Sequence, residues 1–233
     1  MKIEDTSMKK FIAISDVISL LNMSCGFLSI ISSINHKFEL AALLMIFAIM
    51  FDSVDGWVAR KTNRNDELGF GKNIDSLSDA ISFGAAPAVF VYSTINTTSI
   101  ILQPLVTLVS LLIVICGVLR LTRYNVIADK IQTKDFIGFP IPGIAFILAT
   151  LYLSGIHNMY LTLILSTIVS LIMISTIRYP KFDNIPTLAI SCVLIVLLIL
   201  PIKIVLFGIN VPAILLLIFC LYYLIINLIK NYI

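Results

Sequence analysis

Asp52-Ser-Val-Asp55-Gly56-Trp-Val-Ala59-Arg60, followed after a polar link by Gly71-Lys-Asn-Ile-Asp75-Ser-Leu-Ser-Asp79, decides how this chain is read. Asp52, Asp55, Gly56 and Ala59 stand at i, i+3, i+4 and i+7, so a helix places them on one face. Asp75, Ser78, Asp79 and Ser82 repeat that spacing. Two carboxylate-bearing stripes joined by a short link are therefore expected, inside a chain otherwise built for lipid.

The surroundings of those stripes set the fold class. Hydrophobic residues make up 59% of the 233 residues and charged ones 12%, with mean hydropathy +1.05. That composition predicts an all-α, polytopic membrane helical bundle. A span needs about 20 mostly apolar residues, and eight transmembrane helices are expected on that rule, near 14–33, 38–60, 73–95, 98–122, 137–156, 159–178, 187–206 and 209–229. The mixed run Met8-Lys9-Lys10-Phe11-Ile12 predicts a short N-terminal surface helix before the first of them. No small-residue cleavage site follows, so the first span is expected to stay in the mature protein. Cys25, Cys116, Cys192 and Cys220 are scattered singly, without the pairing of a zinc or disulfide framework. No internal repeat is visible, and one domain over residues 1–233 is the economical reading.

Placement of the basic residues gives the orientation. With the N-terminus inside, only Lys37 and Lys203 of the 16 lysines and arginines fall on the outer side, which predicts an N-in, C-in topology. The acid stripes then sit at the cytoplasmic ends of spans 2 and 3. Asp16 and Asn22 in span 1 serve either as an interfacial charge and an interhelical hydrogen bond, or as lining of the same inner cavity.

An aspartate at a helix centre costs about 2.5–3.5 kcal/mol on insertion scales, less near the interface, so four of them demand neutralisation. Arg60 alone cannot balance four carboxylates; divalent cations can. A donor set without Cys or His suits Mg²⁺ or Mn²⁺, with Ca²⁺ compatible and zinc disfavoured. His36 and His157 both map to outer links, so a base at the inner site should be an aspartate. Gly56 and Ala59 leave a groove beside Asp52 and Asp55, open to helix packing or to a ligand. A metal, an arginine and a groove at the membrane surface together suit a diphosphate carrying a lipid tail.

Asp52-x-x-Asp55-Gly56-x-x-Ala59-Arg60 with Gly71-x-x-x-Asp75-x-x-x-Asp79 resembles the signature of the CDP-alcohol phosphatidyltransferases, matching it at eight positions. Asp75-Ser-Leu-Ser-Asp79-Ala-Ile-Ser-Phe-Gly84-Ala-Ala-Pro87, Leu119-Arg120-Leu-Thr-Arg123-Tyr124-Asn125 and Gly138-Phe-Pro140-Ile-Pro142 look like its serine-using branch, phosphatidylserine and archaetidylserine synthases. The resemblance covers a core of about 10–190, with two further helices in 187–233 matching mainly in hydrophobicity. It implies transfer of a lipid phosphoryl group from a CDP-linked lipid to L-serine with release of CMP, at a membrane-embedded site of a homodimer. It implies Asp52, Asp55 and Asp75 as metal ligands, Asp79 as ligand or general base, and Gly56, Ala59, Arg60, Gly71 and Asn22 around the CDP-lipid. Two divalent cations held by the four aspartates would fit phosphoryl transfer. Ten residues separate Arg60 from Gly71, about two more than the family pattern, while Gly69 has the family's distance from Arg60 but not from Asp75.

The serine carboxylate needs a fixed cation in a low-dielectric pocket, and Arg120 or Arg123 at the inner end of span 4 could pair with it. Tyr124, Asn125, Pro140 and Pro142 are the further residues expected around that acceptor. Each has a plainer reading as well: a positive-inside anchor for the arginines and a helix start for the prolines. No nucleic-acid partner is expected. Two other functions stay open: a sister transferase using glycerol 3-phosphate or an inositol phosphate, and, in another class, a divalent-cation transporter. The transporter reading is weakened by the nearly uniform aliphatic character of spans 6 to 8.

Overall fold

Residues 8–62, 69–95, 99–128, 135–180, 185–200 and 204–232 are described by the computed structural model. Helix dominates them. A short turn, α1 (Met8–Phe11), precedes α2 (Ile14–Ile34) and α3 (Phe38–Lys61), and these two long helices pack along most of their length. α4 (Phe70–Asp79) runs through a π-helical turn (Ala80–Ala85) into α5 (Ala86–Thr94), and α6 (Leu102–Ala128) follows. α7 (Ile141–Leu153), α8 (Met159–Ile174), α9 (Ile185–Ile199) and α10 (Val211–Tyr232) complete the bundle.

The burial pattern of α2 is the reverse of a water-soluble helix. Ser15, Asp16, Ser19, Asn22, Gly26, Ser29, Ser32 and Ser33 are buried, whereas Ile14, Val17, Leu20, Leu21, Phe27, Leu28 and Ile31 are exposed. Apolar side chains gain nothing by leaving lipid, so small and polar residues take the packed face instead. A Cβ on Gly26 would stand 2.5 Å from the Ser82 Cα, so the backbones of α2 and the π-helical turn all but touch there. The Ser82 hydroxyl, fully buried, donates to the Asn22 carbonyl at 3.0 Å. A single-turn π-bulge inside a longer helix is a feature often found at functional sites. This one directly follows Asp79 and precedes Pro87, whose missing N–H could not have continued an ordinary ladder.

Among the described residues, four helical stretches are long and apolar enough to cross a membrane: Ile14–Ile34, Phe70–Thr94, Leu102–Ile127 and Val211–Asn231. Ile141–Leu153, Met159–Ile174 and Ala189–Ile199 are apolar but shorter. The helices at the expected fifth and sixth spans, α7 and α8, therefore stop short where β1 and β2 stand. β1 (Asp135–Ile137) pairs antiparallel with β2 (Arg178–Pro180), with Phe136 opposite Tyr179. Hydropathy alone extends both spans through these apolar residues, but Gly138 at φ 79° and Pro140 at the helix N-cap break the helix. α7, 13 residues long, consequently reaches only about 20 Å. A second ladder, β3 (Val205–Leu206) with β4 (Ile209–Asn210), turns at Phe207 and Gly208.

The two ends of the bundle differ in chemistry. At one end Phe38, Phe90 and Tyr152 meet edge-on, with ring centroids 5.4–6.2 Å apart. At the other end the aspartates of α3 and α4 converge. Between them, a continuous core of residues such as Met45, Ile46, Phe83, Ile113, Ile144 and Leu148 is closed to solvent.

Candidate active site

α3 and α4 put their acids where the spacing predicts, each on one helix face. Ligand oxygens of Asp52, Asp55 and Asp75 all lie within 4.8 Å of one another. Asp79, one turn beyond Asp75 and 7% exposed, stands beside this trio, its carboxyl against that of Asp52. Charges this close repel in a poorly solvated setting, so the group requires cationic compensation. An all-oxygen trio at this separation fits a hard divalent cation and offers nothing to a thiophilic one.

α2 supplies hydrogen-bond donors to the acids. The Ser19 hydroxyl donates to Asp55 Oδ2 at 2.6 Å and Asn22 Nδ2 to Asp79 Oδ1 at 3.1 Å. Each carboxylate thus has one oxygen held from behind. Asn22, expected near the CDP-lipid, has its amide nitrogen on Asp79 and its Oδ1 buried without a protein partner. Ser19 was not singled out from the sequence. The signal was there, since Ser15, Ser19, Asn22 and Gly26 stand at i, i+4, i+7 and i+11. Asp16 works locally, with Oδ2 accepting from the Ala13 N–H at 2.8 Å at the start of α2.

The cation facing the acids belongs to α6. Arg120 is only 6% exposed, and its charge acts on Asp79, Asp52 and Asp75. Tyr124 and Phe136, themselves in ring contact, pack together on one side of the guanidinium, their ring centroids 5.5 and 5.8 Å from its carbon. Arg123 has a different role. Its Nη1 donates to the carbonyls of Ile174 and Ser175, and its Nη2 to those of Ile137 and Met173, at 2.8–2.9 Å. One guanidinium thereby ties the end of α8 to β1. Gly138 is required beneath it, because a Cβ there would lie 2.1 Å from the Met173 carbonyl oxygen and 2.5 Å from Arg123 Nη2. Asn125 bridges to α4: its Nδ2 donates to Ser76 Oγ at 2.8 Å, and its backbone carbonyl accepts from Lys72 Nζ at 2.7 Å.

The remaining expected residues fall nearby. Gly56 and Ala59 follow Asp55 on α3 and are half-buried. Arg60 lies in the last turn of that helix, and its side chain is outside the described residues. Gly69 adopts φ 68° and opens α4, with its carbonyl accepting from the backbone and side chain of Asn73. Gly71 sits inside the first helical turn. The glycine that the backbone conformation demands is thus Gly69. Of the longer link between Arg60 and Gly71, residues 63–68 lie outside the described residues. Pro140 and Pro142 start α7.

The histidines stay far from the acids. His36 packs on Phe38. His157 contacts Tyr152 and bonds Thr162, and burial pushes its imidazole below the usual range. Two open cavities of about 510 and 410 Å³ also lie at this aromatic end, around Glu39, Leu43 and Tyr152. Neither holds a residue of the acid cluster, so the concave space there and the chemistry are separate.

The family model for CDP-alcohol phosphatidyltransferase matches residues 12–170. The chain is 46% identical over 180 residues to archaetidylserine synthase of Methanothermobacter thermautotrophicus, covering 77% of this chain and 75% of that protein. It is 36% identical over 178 residues to a CDP-diacylglycerol–serine O-phosphatidyltransferase of Methanocaldococcus jannaschii, covering 76% and 79%. A protein of the same description from Bacillus subtilis is 35% identical over 168 residues, 72% of this chain and 90% of that one.

Proposed function

The chain belongs to the CDP-alcohol phosphatidyltransferase family, and from that premise we propose that it moves the phosphatidyl or archaetidyl group of a CDP-linked lipid onto the hydroxyl of L-serine, releasing CMP. The observation that carries this reading is the convergence of Asp52, Asp55 and Asp75 beside Asp79, with Arg120 facing them. The names of the relatives support serine, and the archaeal relative at 46% identity favours an ether-linked lipid.

Asp52, Asp55 and Asp75, with Asp79, would hold two divalent cations, Mg²⁺ or Mn²⁺. When bound, these neutralise phosphate oxygens and make CMP a better leaving group. Asp79 takes the serine hydroxyl proton: Asn22 holds its Oδ1, which leaves Oδ2 to turn toward the nucleophile. Gly56, Ala59, Arg60 and Gly71 line the nucleotide side. Arg120 takes the serine carboxylate, whereas Arg123, spent on four carbonyls, positions the strand that carries Phe136. Residues 1–233 act as one catalytic domain, in an N-in cell membrane with the site at the cytoplasmic face, as a homodimer.

The test is which alcohol drives CMP release from CDP-lipid in purified, detergent-solubilised protein. L-serine should do so, chelation should stop it, and Mg²⁺ or Mn²⁺ should restore it. Release driven by glycerol 3-phosphate or an inositol phosphate instead would move the chain to a sister activity.

A further inference from the structure

Three buried polar atoms on α6 have no protein partner, Ser110 Oγ, Arg120 Nε and Asn125 Oδ1, and the last two lie at its acid end. Leaving a buried hydrogen-bonding atom unpaired costs about 1–3 kcal/mol, and each such atom calls for an explanation. The two are opposite in kind. Arg120 Nε is a donor on a cation that Tyr124 and Phe136 pack against from one side, their centroids 6.2 Å from each other, so its other side is what remains for a ligand. Asn125 Oδ1 is a neutral acceptor. Its amide is pinned from the other side, with Nδ2 on Ser76 Oγ, and its backbone is pinned by Lys72. Ser76 neighbours Asp75 on α4, and Arg120 faces Asp79, so both orphaned atoms belong to the wall of α6 turned toward the acid-bearing helix.

We infer that Asn125 Oδ1 receives the ammonium group of an α-amino alcohol while Arg120 receives its carboxylate, so that the acceptor site selects a zwitterion. This rests on the serine reading above and adds a residue that sets specificity within it. A carboxylate and an ammonium on one carbon need one charged donor and one acceptor, and the acid end of α6 leaves one of each unfilled, with Asn22 Oδ1 on α2 a further unfilled acceptor. The acceptor is an amide and not an acid, so it binds the ammonium without adding a fifth negative charge to the cluster. Acceptors lacking nitrogen leave Oδ1 unpaired, and sites built to bond a polar group reject analogues without it.

The experiment pairs two truncated acceptors with two variants. 3-Hydroxypropanoate is L-serine without the ammonium, and ethanolamine is L-serine without the carboxylate. Each is measured as a substrate of the purified enzyme and, where turnover is slow, as a competitive inhibitor against L-serine. Asn125→Ala should raise the KM for L-serine about tenfold or more. The constants for CDP-lipid and for 3-hydroxypropanoate should move by less than about twofold, because the lost contact is absent from both. Arg120→Gln should weaken L-serine more than it weakens ethanolamine, whatever it does to the turnover common to both. Asn125→Asp keeps an oxygen at the same place and should retain the preference of L-serine over 3-hydroxypropanoate. L-serine should also shift the melting temperature of the wild type and of Asn125→Asp, but not that of Asn125→Ala. Equal losses of L-serine and 3-hydroxypropanoate in Asn125→Ala, or a wild type indifferent between those two, would overturn the inference and leave Asn125 as a strut between α4 and α6. Failure of the serine reading itself shows earlier, as wild-type enzyme on which L-serine drives no CMP release.

Discussion

The same helices build both ends of this bundle to opposite rules. α3 carries Phe38 at one end and Asp52 and Asp55 at the other; the α4–α5 pair carries Asp75 and Asp79 at one end and Phe90 at the other. At the aromatic end the contacts are ring edges on ring faces, which stabilise through area and shape. At the acid end like charges gather, held by single hydrogen bonds from Ser19 and Asn22. That arrangement opposes stability and serves chemistry. The difference teaches that the bundle separates holding from reacting along its own length.

Three substitutions test that separation, from the largest effect to the smallest. Asp79→Asn should cut the turnover number by about 10²–10⁴-fold through loss of the proton acceptor. CDP-lipid binding should survive, and the detergent melting temperature should not fall, since one repelling charge is gone. A melting temperature that drops with activity would erase the contrast between the ends. Phe90→Ala makes the opposite prediction. Phe90 is fully buried between Phe38 and Tyr152, so its truncation should cost about 3–5 kcal/mol of stability with KM values for both substrates unchanged in the folded fraction. Ser19→Ala should have the smallest effect. It removes a bond to a charged group worth about 1.5–3 kcal/mol, and should weaken divalent-cation affinity, read by titrating Mn²⁺, with a smaller fall in melting temperature than Phe90→Ala gives.

The acid end was the more legible of the two in sequence. Helical spacing alone put Asp52 with Asp55 and Asp75 with Asp79, and the absence of inner histidines limited the donors to carboxylates. What spacing could not give was the contribution of other helices. Ser19 is one of many serines in α2, and only the packing against α3 distinguishes it from Ser24, whose hydroxyl bonds its own helix at Leu20. Arg120 and Arg123 look alike in sequence, three residues apart on one helix. They separate only because Gly138 admits Arg123 to a nest of carbonyls while Arg120 turns to the acids. The trimmed fifth and sixth spans had a local signal in Gly138, Pro140 and Pro180, which hydropathy overrode.

The π-helical turn between Asp79 and Ala86 carries a consequence for how this chain can change. Such a turn holds one residue more than an α-helical turn, and each residue of an α-helix advances the direction of its side chain by about 100°. Deleting a single residue from Ala80–Ala85 would let the helix close into an uninterrupted ladder up to Pro87. Because the turn takes up that extra residue within one rotation, the deletion would leave Phe90 nearly in phase with Asp75 and Asp79. The turn is therefore a one-residue slack in the span, and a one-residue deletion there should be tolerated better than one in the α-helical part of α4 or α5.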